Sequence, residues 1–258
     1  MRQWTDEELH FRGYLARVES HLMARPASGE EFDTTPTLGD ALAMYTRCRS
    51  LFAAIRLLVE RGYPEESVIL GRSVFETSLQ LEYLAGQDGP GRESLLIQRR
   101  IDGAKQTEDL IDQRLHLGLG PGLRPAEADV LATQRRPLHA RQERLEIKRT
   151  RRFPSPKDLA RKLGHLDEYL DYLLASELTH GSTISQATRS RHPAPNTVHI
   201  YARSDNEAVL VGAGLFGARA ALRTLRACEV IFDWAHDGTQ ELLDEAADGN
   251  DVARAPGD

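Results

Sequence analysis

The segment PEESVILGRSVFETSLQLEYLAG, residues 64–86, predicts a helix in the middle of an all-helical fold. Pro64 stands where a first helical residue belongs, and apolar residues recur at three- and four-residue steps on two opposite sides. A helix that is apolar on two sides packs against neighbours on both. Because Gly71, Ser78 and Ala85 recur every seven residues between the stripes, we expect a close helix approach there. The two stripes are Val68, Phe75 and Leu79, and Leu70, Val74, Leu81 and Leu84.

Breaks rich in proline and glycine divide the rest of the chain into further helical segments. They predict an all-α fold, a multi-helix bundle of about six to eight helices, with a short β-hairpin near residues 197–212. Residues 1–36 are predicted to form an N-terminal helix and linker, and residues 37–236 the helical bundle domain. Residues 237–258 form an acidic tail, which we expect to fray because it has few large apolar residues.

Composition and charge indicate where the protein is located and what it contacts. Hydrophobic residues make up 40% of the 258 residues, and no run approaches the roughly 18 apolar residues of a membrane span. We therefore expect a cytoplasmic protein that does not enter a membrane. The net charge is −6, yet the stretch Arg135–Arg152 alone carries +6. That stretch is either a nucleic-acid contact or a solvated helix face, and the lack of aromatic residues within it favours the solvated face.

Polar residues interrupt the apolar pattern in two predicted helices. In residues 166–180, the leucines 166, 170 and 173 predict the buried stripe, and Tyr169, Ser176 and His180 fall along its edge with Tyr172 slightly further round. Arg72 and Glu76 have a four-residue spacing on the central helix, so they can pair. Because charged groups in a packed helix need partners, we expect Arg72 or Glu76 to lie within hydrogen-bonding distance of His180, Ser176 or Tyr172.

These two segments carry a family resemblance. Residues 71–84, GRSVFETSLQLEYL, together with residues 154–182 resemble a family of uncharacterised bacterial helical proteins with an R-S-x-x-E-T helix and a later Y-x-x-x-S-x-x-x-H-[GP]-S segment. The resemblance implies an all-helical domain without an established activity. The matching positions are Arg72, Glu76, Tyr172, Ser176, His180 and Ser182.

That family is similar in outline to helical nucleotide-binding domains of the HEPN type, which include ribonuclease toxins. Their ribonuclease signature is an arginine followed, after four to six residues, by a histidine, and no histidine of this sequence is preceded by an arginine at that separation. Only three residues separate Arg161 from His165, which is shorter than the signature requires. This departure argues against RNA cleavage of that type.

Three functions stay open from the sequence. The first is a binding or regulatory module for an anionic or nucleotide ligand, linked to nucleotide or nucleic-acid biology. The second is an enzyme acting on a phosphate-bearing substrate, in which His180 is the acid or base, Arg72 holds the anion and Glu76 orients one of them. The third is a structural or oligomerising module, including a homo-oligomer. The predicted binding residues are Tyr169, Tyr172, Ser176 and Ser182.

Other motifs predict no metal and no cofactor. E-x-x-H occurs at Glu7–His10 and at Glu177–His180, about as often as chance gives in a chain of this composition. Gly212, Gly214 and Gly217 satisfy G-x-G-x-x-G but lack the following strand of a dinucleotide-binding fold, so close helix packing explains them better.

Overall fold

The structure is a computed structural model, and it describes residues 5–24, 38–116, 140, 153–179, 190–194, 197–200, 207–235 and 238–254. Within these ranges the protein forms eight helices and one pair of short strands, which confirms the predicted all-α fold. In chain order the elements are α1 (Asp6–Met23), α2 (Leu38–Glu60), α3 (Pro64–Ala85), α4 (Gly89–His116), α5 (Pro156–Leu163), α6 (Leu166–Thr179), β1 (Ser190–Ala194), β2 (Thr197–Ile200), α7 (Glu207–Phe232) and α8 (Thr239–Arg254).

The chain divides into two compact units. Met1–Asp33, Leu42–Ala85 and Ser155–Asp258 form the first unit, and Thr34–Ala41 and Gly86–Pro154 form the second. The first unit therefore holds every described helix except α4 and the first turn of α2. The predicted bundle domain of residues 37–236 leaves out α1 and α8, whereas the contacts join both helices to the first unit.

Helix α3 lies in the middle of the first unit, as its two apolar sides predict. It packs mainly against α7 and also contacts α5 and α6. Val74, Phe75, Leu79, Leu81 and Leu84 are all fully buried. The long apolar helix α7 in turn contacts α1 and α8, so α3 and α7 together form the axis of this unit.

Glycines allow the closest helix approaches. A Cβ atom added to Gly71 of α3 would lie 2.8 Å from Phe216 Cδ1 of α7, so the predicted close contact at Gly71 is confirmed. In α7, an added Cβ would lie 2.5 Å from Phe11 Cζ at Gly214 and 3.0 Å from Ile55 Cδ1 at Gly217. The G-x-G-x-x-G pattern therefore lies inside a packed helix and not in a strand-to-helix turn.

In the second unit, α4 is anchored to the first turn of α2. The Arg100 guanidinium makes two contacts with the Asp40 carboxylate, one of them a 2.7 Å hydrogen bond from Arg100 Nη2 to Asp40 Oδ1. The hydrogen bonds to Asp40, aided by its charge, raise the pKa of Arg100 although partial burial opposes the shift. The pair fixes the start of α2 because a bidentate arginine–carboxylate contact restricts both position and orientation.

The strand pair lies earlier in the chain than the predicted hairpin at 197–212. β1 pairs antiparallel with β2, with Ser190 opposite Ile200, and the register shifts between Arg191 and Ala194. Residues 207–212 instead form the first turns of α7. The prediction fails there because a short apolar run does not distinguish a strand from a buried helical turn by its period.

The acidic segment forms a packed helix, so the predicted fraying of residues 237–258 is wrong for α8. The Tyr14 hydroxyl of α1 donates a 3.0 Å hydrogen bond to the Leu242 carbonyl, and Arg17 of α1 pairs with Glu245. Thr239, at the start of α8, is buried and donates to Glu229 Oε1 of α7 at 2.7 Å. Polar contacts on both sides of α8 thus compensate for its few large apolar residues.

The predicted buried stripe of α6 is also wrong. Leu166, Leu170 and Leu173 are between 43% and 65% exposed, whereas Tyr172 and Ala175, on the other side of the helix, are buried. The side that carries the hydrogen-bonding groups faces α3, and the leucine side faces away from it.

Among the described residues, no helix has the length and apolar content needed to cross a membrane.

Candidate functional site

Four polar side chains meet where α6 packs on α3. Arg72 Nη1 donates to Ser176 Oγ at 3.2 Å, and Arg72 Nη2 donates to Tyr172 Oη at 3.3 Å. The Tyr172 hydroxyl in turn donates to Glu76 Oε1 at 2.6 Å. Arg72 Nε lies 3.5 Å from the same Glu76 oxygen, which closes a ring of contacts between the two helices. We call these four residues the Arg72 cluster.

Helix geometry explains why these residues meet. Arg72 and Glu76 are one turn apart on α3, and Tyr172 and Ser176 are one turn apart on α6, so each pair lies on one helix face. Phe75 packs beside Tyr172, with the ring centroids 5.9 Å apart. The Arg72 guanidinium lies 5.0 Å from the centre of the Tyr172 ring, a cation–π contact that orients the arginine further.

The Arg72 cluster is partly open to solvent. The side chains of Arg72 and Glu76 are 28% and 36% exposed, whereas Tyr172 is only 8% exposed. The tyrosine therefore forms the floor of the cluster, and the two charged groups lie at its rim. An arginine carries five N–H donors, and the contacts of Arg72 with the described residues do not use all of them. Arg72 can therefore donate further hydrogen bonds on its solvent side.

The pKa shifts show which groups act as donors. Burial raises the pKa of Tyr172 and the hydrogen bond to Glu76 raises it further, although Arg72 partly opposes both. Partial burial alone would lower the pKa of Arg72, but the contacts with Tyr172 and Glu76 raise it above its ordinary value. Tyr172 therefore stays a neutral phenol and Arg72 stays a cation at neutral pH, so the cluster presents donors and one positive charge next to one carboxylate.

The predicted convergence of the two helices is confirmed for four of the residues. Arg72, Glu76, Tyr172 and Ser176 meet directly, and Tyr169 stacks on Tyr172 with centroids 5.2 Å apart. His180, Ser182 and the basic residues of the stretch Arg135–Arg152 lie outside the described residues. The catalytic or binding roles of all these residues stay predictions.

A second polar cluster, which the sequence did not predict, lies among α3, α6 and α7. Arg223 of α7 makes two contacts with the Glu168 carboxylate, one of them a 2.6 Å hydrogen bond from Nη1 to Oε1. Glu82 of α3 lies 2.8 Å from His165 Nε2 and 3.5 Å from Arg223 Nε. All four side chains are at most 20% exposed. Burial by itself would raise the pKa of Glu168, but the hydrogen bonds and charge of Arg223 lower it below its ordinary value.

The sequence indicates that this second cluster contains charged residues in need of partners, but it does not indicate which residues those partners are. Arg223 is a charged residue inside the apolar run of α7, and Glu82 lies between the apolar positions of α3. Charges in such positions need compensation. Their partners lie 55 and 83 residues away in the chain for the Arg223–Glu168 and Glu82–His165 contacts, so the pairing could not be read locally.

Neither cluster is built as a metal centre. Within the described ranges, no group of three or more histidine, cysteine, aspartate or glutamate side chains is placed to hold a metal ion. Of the two E-x-x-H pairs, Glu177–His180 extends beyond the described part of α6. His10 lies 4.0 Å from Glu245 of α8, a contact between two helices at the surface.

Fold and site together define an all-helical protein with a half-open arginine–tyrosine–carboxylate cluster between two helices. The chain belongs to the Family of unknown function (DUF5677), which it matches over residues 41–192. The matched region includes all of α3 and α6, and with them the whole Arg72 cluster. No curated protein and no solved structure matches the chain.

Proposed function

We propose that the protein is a binding module in which Arg72 holds an anionic group, with phosphate as the best-matched chemistry. The supporting observation is that the Arg72 guanidinium is fixed by Tyr172 and Ser176 yet remains partly exposed. A guanidinium held in one orientation loses less conformational freedom on binding, and its planar donors match phosphate oxygens.

The neighbouring groups limit what binds there. Glu76 neutralises part of the positive charge of Arg72, which weakens the attraction of Arg72 for any anion. The site therefore favours a ligand that combines negative charge with further acceptor oxygens, because the Ser176 hydroxyl accepts from Arg72 and, among the described contacts, keeps its own hydrogen for donation. Phosphate esters, including nucleotides and RNA ends, meet both requirements and suit a link with nucleotide or nucleic-acid biology.

The enzyme alternative receives less support from the described residues. That alternative assigns the acid or base role to His180, which lies outside the described residues. Within the described part of the cluster, Tyr172 has a raised pKa and its hydroxyl donates to Glu76, so Tyr172 does not supply a base or nucleophile in its place. The structural alternative is a cluster that only ties α3 to α6. Partial exposure of Arg72 and Glu76 favours binding over that alternative, since a purely structural pair gains more when it is shielded from water.

A thermal-shift comparison tests the proposal. The native protein is titrated with inorganic phosphate, mononucleotides and short RNAs, beside Arg72→Gln and Arg56→Gln. Arg56 is the matched control because it also pairs with a glutamate one turn away, Glu60, and its side chain is 23% exposed compared with 28% for Arg72. A ligand at about 100 times its Kd should stabilise the native protein by roughly 2.7 kcal/mol.

We expect Arg72→Gln to lose this stabilisation and Arg56→Gln to retain it. His180→Ala, measured in parallel, reports whether that histidine contributes. If no phosphate-bearing compound stabilises the native protein and Arg72→Gln merely unfolds at a lower temperature, the cluster is a structural tie and the proposal is wrong.

A further inference from the structure

The leucine side of α6 is an exposed apolar face, opposite the side on which Tyr172 and Ala175 are buried. Leu166, Leu170, Leu173 and Leu174 are each between 42% and 65% exposed. They follow the spacing of an amphipathic helix that packs against another helix. Single exposed leucines are common on protein surfaces, but several adjacent ones mark an interaction surface.

Charge around this face selects its occupant. Helix α6 contains four acids and no lysine, arginine or histidine. Glu168 is paired with Arg223, whereas Asp167 and Glu177 are exposed. Leu166, Leu170 and Leu173 follow a spacing of four and then three residues, and Glu177 stands at the next position of the same seam. A carboxylate in the seam requires a basic side chain opposite it, because an unpaired charge there is costly.

We propose that the leucine face of α6 docks an amphipathic basic helix of a partner protein. Leucines or similar residues of the partner fill the face, and a lysine or arginine meets Glu177. A second copy of α6 fits poorly, since two-fold pairing would bring like-charged helices together without a compensating base. A membrane surface with anionic lipids is repelled for the same reason.

Fluorescence anisotropy with two synthetic helical peptides tests this docking. The peptides share leucine positions, and one carries lysines and the other glutamates on the flanks. Native full-length protein should bind the lysine peptide more tightly, by about tenfold or more. Glu177→Lys should reverse or abolish that preference, and Leu170→Ser should weaken binding about tenfold.

Two control variants separate docking from general attraction to an acidic protein. Glu241→Lys makes the same charge change at an exposed site on α8, and Leu57→Ser removes a leucine of α2 that is also half-exposed. Both should bind the lysine peptide like the native protein. Because Leu170 is exposed, Leu170→Ser should keep the native unfolding temperature, so loss of binding is not loss of folding.

Three results would overturn the docking proposal. The first is no binding of the lysine peptide at about millimolar concentration, the weakest affinity of interest. The second is equal weakening by Glu177→Lys and Glu241→Lys. The third is a dimer in analytical ultracentrifugation that Leu170→Ser dissociates, which would identify a second copy as the occupant.

Discussion

Removal of one oxygen atom from Tyr172 tests the Arg72 cluster at its centre. Tyr172→Phe keeps the ring that packs beside Phe75 and stacks on Tyr169, but it deletes the 2.6 Å hydrogen bond to Glu76. It also deletes the acceptor of the 3.3 Å hydrogen bond from Arg72. Any loss of stability therefore comes from polar contacts and not from packing.

The expected loss follows from the exposure of the two partners. A hydrogen bond to a charged group contributes about 1.5–3 kcal/mol when both groups are shielded. Because Glu76 and Arg72 are 36% and 28% exposed, water replaces part of what they lose. We therefore expect Tyr172→Phe to lower the free energy of unfolding by about 1–2 kcal/mol.

Urea unfolding followed by circular dichroism measures this difference. Tyr169→Phe is the matched control, since the described contacts of Tyr169 are ring stacking, and it should change stability by less than about 0.5 kcal/mol. A cycle with Glu76→Gln should show coupling between the two positions of at least about 0.5 kcal/mol. Equal stability of Tyr172→Phe and the native protein would show that the hydrogen bonds do not form in solution.

Two further stability predictions address packing and buried charge. Gly214→Ala should destabilise the protein by about 1–3 kcal/mol because the new methyl group meets Phe11, whereas Gly212→Ala, with open space around it, should stabilise it by up to about 1 kcal/mol. Denaturant titrations decide the two signs, and a gain in stability at Gly214 would contradict the close helix contact. Glu168→Gln should cost about 2–4 kcal/mol at neutral pH because Arg223 loses the nearer of its two carboxylate partners and keeps only Glu82. The folded-state pKa of Glu168 lies below its ordinary value of 4.5, so its contribution is complete above that pH and is lost as the pH falls through the folded pKa. Unfolding measured between neutral and strongly acidic pH should thus show the two proteins converging in acid, and a gap that stays constant would refute this role.

The sequence predicts the central helix well because its pattern leaves one solution. α3 is apolar on two sides, so burial between neighbours is the only arrangement that removes both sides from water. Gly71 of that helix likewise allows Phe216 to pack against the α3 backbone, where a larger side chain would clash. The prediction therefore agrees with the structure where the apolar pattern of a helix allows one packing arrangement.

Helix α6 shows where the pattern is insufficient. Its leucine side and its tyrosine side are both able to pack, and the more apolar side predicts the wrong orientation. The deciding factor lies on α3, where Arg72 and Glu76 need hydrogen-bonding partners that leucines do not supply. A helical wheel assigns residues to faces, but the neighbouring helix determines which face is buried.

The acidic C-terminal segment fails as a prediction for a related reason. Its composition is typical of a fraying tail, yet α8 forms because α1 and α7 provide specific partners for Thr239 and the Leu242 carbonyl. Tyr14, the partner of the Leu242 carbonyl, lies 228 residues away in the chain, so composition alone does not reveal it. The His165–Glu82 and Arg223–Glu168 contacts are unpredictable from sequence for the same reason.

The most direct measurement of the proposed site is nuclear magnetic resonance of the arginine side chains. The Nε–Hε signal of Arg72, assigned by its absence in Arg72→Lys, is followed while phosphate or a mononucleotide is added, with the signal of Arg56 as the internal control. Binding at the Arg72 cluster predicts a saturable shift of the Arg72 signal while the Arg56 signal stays in place. An unmoved Arg72 signal, or parallel shifts of both arginines, would contradict an anion site between α3 and α6.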